Sequence, residues 1–488
     1  MGKGTAKQVG FVDTSLRDGP QSLWGMQLGT SDVALAIAPV MDEVGFEAID
    51  LFPLVALDWV VRVNRHNPWE RLQRVAQAIR KTPLIVGGVL RPFGNFPDAA
   101  IDLAMRRFAA IGMKRVRINE PTHDLHRILA YMKMARAARL ESVVALIYTV
   151  SPVHTDRYYA RLARAIAGAR PDRMFIKDVG GLLTPERVRT LVPSILKSIG
   201  GIPLELHSHC NTGLAPLCYL EAIQLGVPTV HTAVAPLANG TSQPSTENIL
   251  ANIRYLGYSA SLDVRALAAL ADFLRSVAER RGLPLGAPLE YDHSYFEHQI
   301  PGGMIANYRH ELAKRGIAHK LPELLQEMAR IRRELGYPIM VTPLSQYVGV
   351  QAVLNLVEGK RYNTVPDETI HYVLGHYGPL AAPVDAGVMK RIMRLPRTRQ
   401  LSKWDVPQPS IEDLRRQFGA QCSDDELLLR VLSTNKQAVD EALAAPPGRE
   451  DLPLGEKPIA TLIRELARPD APAYVGIRKG DLSLSVRR

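Results

Sequence analysis

Cysteine is nearly absent from this chain: three residues, Cys210, Cys218 and Cys422, among 488. Their spacing fits neither a structural zinc site nor an even disulfide framework. That excludes a small disulfide-stapled fold and points to a reducing, cytoplasmic setting. No apolar run approaches the ~18 residues of a membrane span. The opening MGKGTAKQVG lacks the apolar core of a secretory signal, and Ala at position 6 breaks the myristoylation pattern. No basic run with interleaved aromatics is present, so nucleic-acid binding has no footprint. A glycine-rich dinucleotide fingerprint is missing after the first predicted strand. The formal charge of +11 suits anionic substrates or an acidic partner, and it is equally compatible with a basic surface of no special purpose.

What is present is a rhythm. The length exceeds one ordinary core and predicts two or three domains. Strand-like stretches alternate with helical ones: QVGFVDTSL, FEAIDLF, LIVGGVL, RVRINE, SVVALIYTV, RMFIKDVG, PLELHSHC and TVHTAVAP, each followed by an amphipathic segment. Ser31 and Asp98 stand where helix N-caps belong, and Gly45 where a helix should stop. Several strands are near-continuous apolar runs, as strands buried on both faces should be. About eight such units predict an α/β fold, a closed (β/α)8 TIM barrel of about 250 residues, in preference to an open doubly wound sheet. The expected barrel domain spans 1–260. A mainly helical domain is expected over 261–444, and a Pro-rich linker and tail over 445–488. The alternating tail YVGIRKGDLSLSVRR reads as a strand for a partner chain or as a frayed end.

Barrel chemistry sits at the C-terminal ends of the strands. Strand one ends in DTSLRDGPQS, supplying Arg17, Asp18 and Gln21; strand three ends at Arg91; strand six carries Lys177; strand eight leads to Thr241. In LELHSHCNTG, alternation turns His207 and His209 to the same side. Two imidazoles and the Asp18 carboxylate from different strands make a divalent-metal site. An ammonium beside a dication is unfavourable, so Lys177 reads on its own as an ion-pairing lysine. Cys210 reads as a packed thiol, and His293 and His298 as structural. His231 fits core or rim equally, and Glu120 fits a pocket wall or a helix start.

The stretches DTSLRDGPQS, FIKDVGG, LELHSHCNTG and NGTSQPST together resemble the carboxyltransferase domain of biotin-dependent enzymes. That group includes pyruvate carboxylase, the oxaloacetate decarboxylase α chain and the transcarboxylase 5S subunit, within a wider superfamily of metal-dependent lyases. HQIPGGMIANY and ELGYPIMVTPLSQYVGVQAVLNLVEGKRY resemble the same family's conserved second domain, so the likeness runs over roughly residues 8–440. The resemblance implies Asp18, His207, His209 and a carbamylated Lys177 as ligands of Mn²⁺, Co²⁺ or Zn²⁺. It implies Arg17, Gln21 and Arg91 at the oxo-acid, and Thr241 relaying a proton between biotin and substrate. The implied reaction moves a carboxyl group between carboxybiotin and a small 2-oxo acid such as pyruvate or oxaloacetate, through a metal-stabilised enolate.

The chain departs from the family pattern in three places. Gly19-Pro20 replaces an Ala-His pair, which is closer to the lyases. The segment after Arg91, PFGNFPD, is shortened and leaves Phe96 as the nearest aromatic for biotin. No biotinyl domain is evident: YMKM around Lys133 imitates an attachment sequence but falls in a predicted helix. Biotin is therefore expected in trans, on a carrier protein working with a biotin carboxylase, in a homodimer or larger complex. The alternatives are a biotin-independent metal-dependent C–C lyase or decarboxylase on the same residues, and a non-catalytic scaffold of a carboxylase complex.

Overall fold

The computed structural model describes residues 7–25, 28–87, 96–314, 316–404, 407–433, 435–445, 474–479 and 482–487. Eight parallel strands form a closed barrel: β1 (Gly10–Asp13), β2 (Ala48–Pro53), β3 (Leu84–Gly87), β4 (Arg115–Ile118), β5 (Glu141–Ile147), β6 (Arg173–Asp178), β7 (Leu204–Ser208) and β8 (Thr229–Thr232). Closure is made by β1 pairing with β8, with Val12 opposite His231 and Asp13 opposite Thr232. Helices between the strands cover the outside. Their starts are set by side-chain caps: Ser31 accepts from Ala34 N–H, Thr184 from Arg187 N–H and Ser245 from Asn248 N–H. Gly45 closes the helix Asp32–Glu43 at φ 85°, and a Cβ there would lie 2.3 Å from the Ser261 carbonyl, so no other residue fits.

Strand alternation decides what faces the interior. On β6 and β7, Lys177 is opposite His207 and Asp178 opposite Ser208. Asp178 takes a structural role, accepting from Leu182 and Leu183 N–H at 2.9 and 2.8 Å and from Ser208 Oγ at 2.8 Å. It clasps the loop after β6 while the neighbouring Lys177 takes the other side of the strand.

The helix Val264–Arg281 and the helices Ile411–Phe418, Asp424–Leu432 and Lys436–Ala444 share the barrel's apolar core. Arg107 on a barrel helix ties them down by donating to Asp425 at 2.9 Å. Between them, a separate apolar cluster runs from Ile300 to Leu401 and includes Met328, Ile331, Val348 and Ile370. From this body Ile339 and Val341 pack with Val143, Ala145 and Ile147 of β5 and Phe175 of β6. The helical body therefore seats two aliphatic side chains on the barrel strands.

A polar seam fixes that plug. Arg332, only 4% exposed, donates to Pro338 O at 3.1 Å, Thr149 Oγ1 at 2.9 Å and Val150 O at 2.9 Å. Gln299 accepts from Thr149 Oγ1 at 2.8 Å and donates to Val150 O at 2.7 Å. Thr149 and Val150 follow β5, so the seam lies at the C-terminal mouth of the barrel.

The tail pairs within itself: β9 (Tyr474–Lys479) and β10 (Leu482–Arg487) form an antiparallel hairpin. Among the described residues no helix is long and apolar enough to cross a membrane. Ile339→Ala should cost on the order of 2–5 kcal/mol, read as a lower urea midpoint with an unchanged slope.

Candidate metal centre

The turn after β1 presents Asp18. The N–H groups of Arg17, Asp18 and Gly19 all converge on the Thr14 carbonyl at 3.2, 3.0 and 3.1 Å. This starts the helix Asp18–Leu23 abruptly. A Cβ at Gly19 would sit 3.1 Å from the Leu237 carbonyl, a tight approach. Asp13, the other carboxylate of the motif, is taken up by Ser15 N–H and Oγ at 2.9 and 2.7 Å.

Closure of the barrel sets Asp18 against the end of β7. Asp18 Oδ2 lies 3.0 Å from His207 Nε2 and 3.6 Å from His209 Nε2, and the two Nε2 atoms are 3.3 Å apart. Ligand atoms bonded at about 2.0–2.2 Å around one cation stand roughly 3.0–3.6 Å from one another. Asp18 Oδ2 is buried and has no hydrogen bond of acceptable geometry despite these approaches. Burial pushes the Asp18 carboxyl up, but Arg17, His209 and His207 outweigh it and hold it well below the usual range. Burial keeps the His207 imidazole well below its ordinary value. A carboxylate and a neutral imidazole are the protonation states that ligate a metal. The His209 ring is oriented by the Thr241 carbonyl, 2.7 Å from Nδ1. A carbonyl only accepts, so that nitrogen carries the proton and Nε2 keeps its lone pair. The residues fit a divalent cation.

Lys177 is 6% exposed and in register with His207. Burial, with Arg17 and Arg117 nearby, pushes its amine down to about 7. Arg17 places Nη1 2.9 Å from Asp18 Oδ2 and Nε 3.9 Å from Asp50 Oδ2. Thr241 is partly buried, and its Oγ1 donates to Ser22 O at 2.7 Å. Gly302 of the helical body stands so close that a Cβ would fall 2.4 Å from Thr241 Cγ2. Gln21 is exposed on the first helix. Phe96 is partly buried against the barrel core just before the helix Asp98–Ala110. Arg91 lies outside the described residues.

The remaining candidates resolve locally. Cys210 is 2% exposed, and burial pushes its thiol up. Glu120 accepts from Thr122 and Asp124 N–H at 2.9 and 2.7 Å, at the start of the helix Leu125–Ala137. His298 is 3% exposed and its Nδ1 accepts from Ile300 N–H at 3.0 Å.

Sequence reading missed Arg117, Asp50 and Gln243. Arg117 on β4 is 1% exposed and ion-pairs with Asp50 of β2. Its Nε and Nη1 have no hydrogen-bond partner, nor do Arg17 Nε, Asp50 Oδ1, Asn119 Oδ1 and Asn211 Oδ1. Each buried unpaired group costs about 1–3 kcal/mol, and such a concentration marks a place where a ligand or ordered water completes the set. The signal was available: Arg115 and Arg117 alternate in RVRINE as the histidines do in β7. Gln243 Nε2 lies 3.0 Å from His209 Nε2, while its Oε1 accepts from Thr14 Oγ1 at 2.8 Å.

Comparison with known proteins agrees with this architecture. The HMGL-like family matches residues 8–274, and the conserved carboxylase domain matches 296–438. One of the pyruvate carboxylase subunits of Methanocaldococcus jannaschii is 37% identical over 390 residues, 79% of this chain and 68% of that protein. Its counterpart in Methanothermobacter thermautotrophicus is 31% identical, covering 93% and 82%. The methylmalonyl-CoA carboxyltransferase 5S subunit of Propionibacterium freudenreichii is 29% identical, covering 79% and 76%. The carboxyl transferase domain of Rhizobium etli pyruvate carboxylase, solved with oxamate and biotin, shares the fold. It superposes with a TM-score of 0.81 over 90% of this chain and 78% of that one, at 22% identity.

Asp18→Ala should purify with its far-ultraviolet circular dichroism unchanged and its divalent-ion content, measured by inductively coupled plasma mass spectrometry, reduced to background.

Proposed function

The chain belongs to the HMGL-like family and carries the conserved carboxylase domain, and from that premise we propose that it is the carboxyltransferase subunit of a biotin-dependent enzyme. In this reading it moves a carboxyl group between carboxybiotin, presented on a separate carrier chain, and a small 2-oxo acid such as pyruvate or oxaloacetate. The observation that carries it is the Asp18–His207–His209 cluster, its ligand atoms within 3.6 Å of one another, flanked by Arg17 and Lys177.

A divalent cation in that cluster would supply Lewis acidity where negative charge develops on the substrate oxygen. Nitrogen and oxygen donors suit Mn²⁺, Co²⁺ or Zn²⁺. The chain's own groups do the rest. Arg17 and Arg117 offer guanidinium donors to the carboxylate and the developing oxyanion. Lys177, with its amine pushed down to about 7, has the neutral form that adds CO₂. As a carbamate it would give the cluster a second anionic ligand. Thr241 takes the methyl proton of pyruvate through its hydroxyl and passes its own to the ureido nitrogen as carboxybiotin releases CO₂. The enolate carbon then bonds to that CO₂, giving oxaloacetate, and the reverse sequence decarboxylates it. Ile339 and Val341 bring an apolar lining to the barrel strands, and exclusion of water favours the loss of CO₂ from carboxybiotin.

The carrier, a biotin carboxylase and a second copy of the chain are the partners this reading requires. The lyase alternative draws on the Gly19-Pro20 pair and on the shortened segment after Arg91, of which residues 92–95 lie outside the described residues.

Oxaloacetate decarboxylation should be stimulated by free biotin. Thr241→Ala should lose that stimulation by about 10²–10⁴-fold while keeping its metal. Turnover that ignores biotin and survives Thr241→Ala would replace the proposal with a biotin-independent lyase. Lys177→Ala should lose both metal and activity and regain part of each with added acetate, whereas Lys177→Arg should not respond.

A further inference from the structure

We propose that His231 and Glu205 form a positioning pair that fixes the tautomer of His207, turning its Nε2 lone pair toward Asp18 and His209. The inference rests on the reading of that triad as a cation site.

His207, His231 and Glu205 are all 0% exposed. His207 Nδ1 stands 3.3 Å from His231 Nδ1, and His231 Nε2 stands 2.8 Å from Glu205 Oε2. Glu205 Oε1 is 3.2 Å from Arg173 Nη1, and that same nitrogen is 2.6 Å from Glu47 Oε1. The Phe175 ring stacks on His231, centroids 5.5 Å apart and planes 19° apart, which holds the imidazole plane. A line of polar groups thus runs along the strand interiors, ending on a ligand of the triad.

Its polarity can be assigned from one end. The Glu205 carboxylate, facing a guanidinium, only accepts, so His231 Nε2 donates. In a neutral His231 with that proton on Nε2, Nδ1 is left as the acceptor. His207 Nδ1 must then be the donor, and its Nε2 is bare. The opposite tautomer would aim a proton at His209 Nε2 and Asp18 and could not ligate. A ligating imidazole whose other nitrogen donates to a fixed acceptor is the general arrangement in metal sites. Here the acceptor for His209 is the Thr241 carbonyl, whereas for His207 it is a side-chain pair that substitution can change.

The test uses Co²⁺ alone as the probe, titrated into the chelator-stripped full chain and followed by its visible absorption. His231→Phe leaves His207 Nδ1 without an acceptor and should weaken Co²⁺ binding by about 10–100-fold, with an altered band shape. Glu205→Gln keeps the shape but accepts or donates with equal ease, and should weaken it less. The exchange Glu205→His with His231→Glu puts a carboxylate directly against His207 Nδ1. It should recover most of the lost affinity and the wild-type spectrum. Unchanged Co²⁺ affinity in both single variants overturns the proposal. So does tighter binding, because a doubly protonated His231 would hold His207 in the non-ligating tautomer and its removal would free the site. Wild-type protein that takes up no Co²⁺, or Asp18→Ala that binds it undiminished, sinks the metal centre itself instead.

Discussion

A carboxylate and two imidazoles crowd together within 3.6 Å at one end of a barrel, with Asp18 Oδ2 ion-paired to Arg17 but without a well-formed hydrogen bond. Left alone, such a cluster disfavours folding, because each buried polar atom without a partner forgoes its hydration. The fold imposes it nonetheless. Asp18 comes from the turn after the first strand and the histidines from the seventh, and only the pairing of β1 with β8 and of β8 with β7 brings them together. A bound cation would offset this local deficit and would stabilise the native state by mass action.

The charges around the cluster follow the same logic. Arg17 bridges toward both Asp18 and Asp50, and Asp50 also holds Arg117. Two guanidiniums against two carboxylates leave little net charge in a dry interior. Lys177, placed beside them, is the group that yields, its amine pushed down by burial and by Arg17 and Arg117. Loss of a proton there is the least costly way to bury another polar side chain next to His207.

Much of this was legible in the sequence, for physical reasons. Strands buried on both faces produce apolar runs, and eight of them at regular spacing leave few folds. Asp18, His207 and His209 stood out because polar side chains at the ends of such runs have no structural excuse. Arg117 was passed over because RVRINE, with arginines two apart, looks like a strand with one wet face. Only the closed barrel shows that this face points into the protein. Glu205 was missed for a narrower reason. It lies in step with His207 and His209 in LELHSHC, on the same side of β7, yet a glutamate two residues before a metal motif carries no signal until β8 sets His231 next to it. Ile339 and Val341 were invisible in a different way. Aliphatic residues in a long helical region predict a core but do not say whose, and these two join strand residues of β5 and β6.

The two bodies of the chain are therefore not simply adjacent. Arg332 and Gln299 grip the backbone just beyond β5, and Gly302 comes so close to Thr241 and Asn211 that neither neighbour leaves room for a side chain there. The barrel provides the charged cluster, and the helical body lays Ile339 and Val341 on β5 and β6 of the same barrel. Apolar packing on β5 and β6 keeps water from those strands, and exclusion of water strengthens electrostatic contacts nearby. The apolar residues of the second body thus bear on the chemistry through the dielectric they impose. This gives a physical reason for the conserved carboxylase domain to accompany the barrel in one chain.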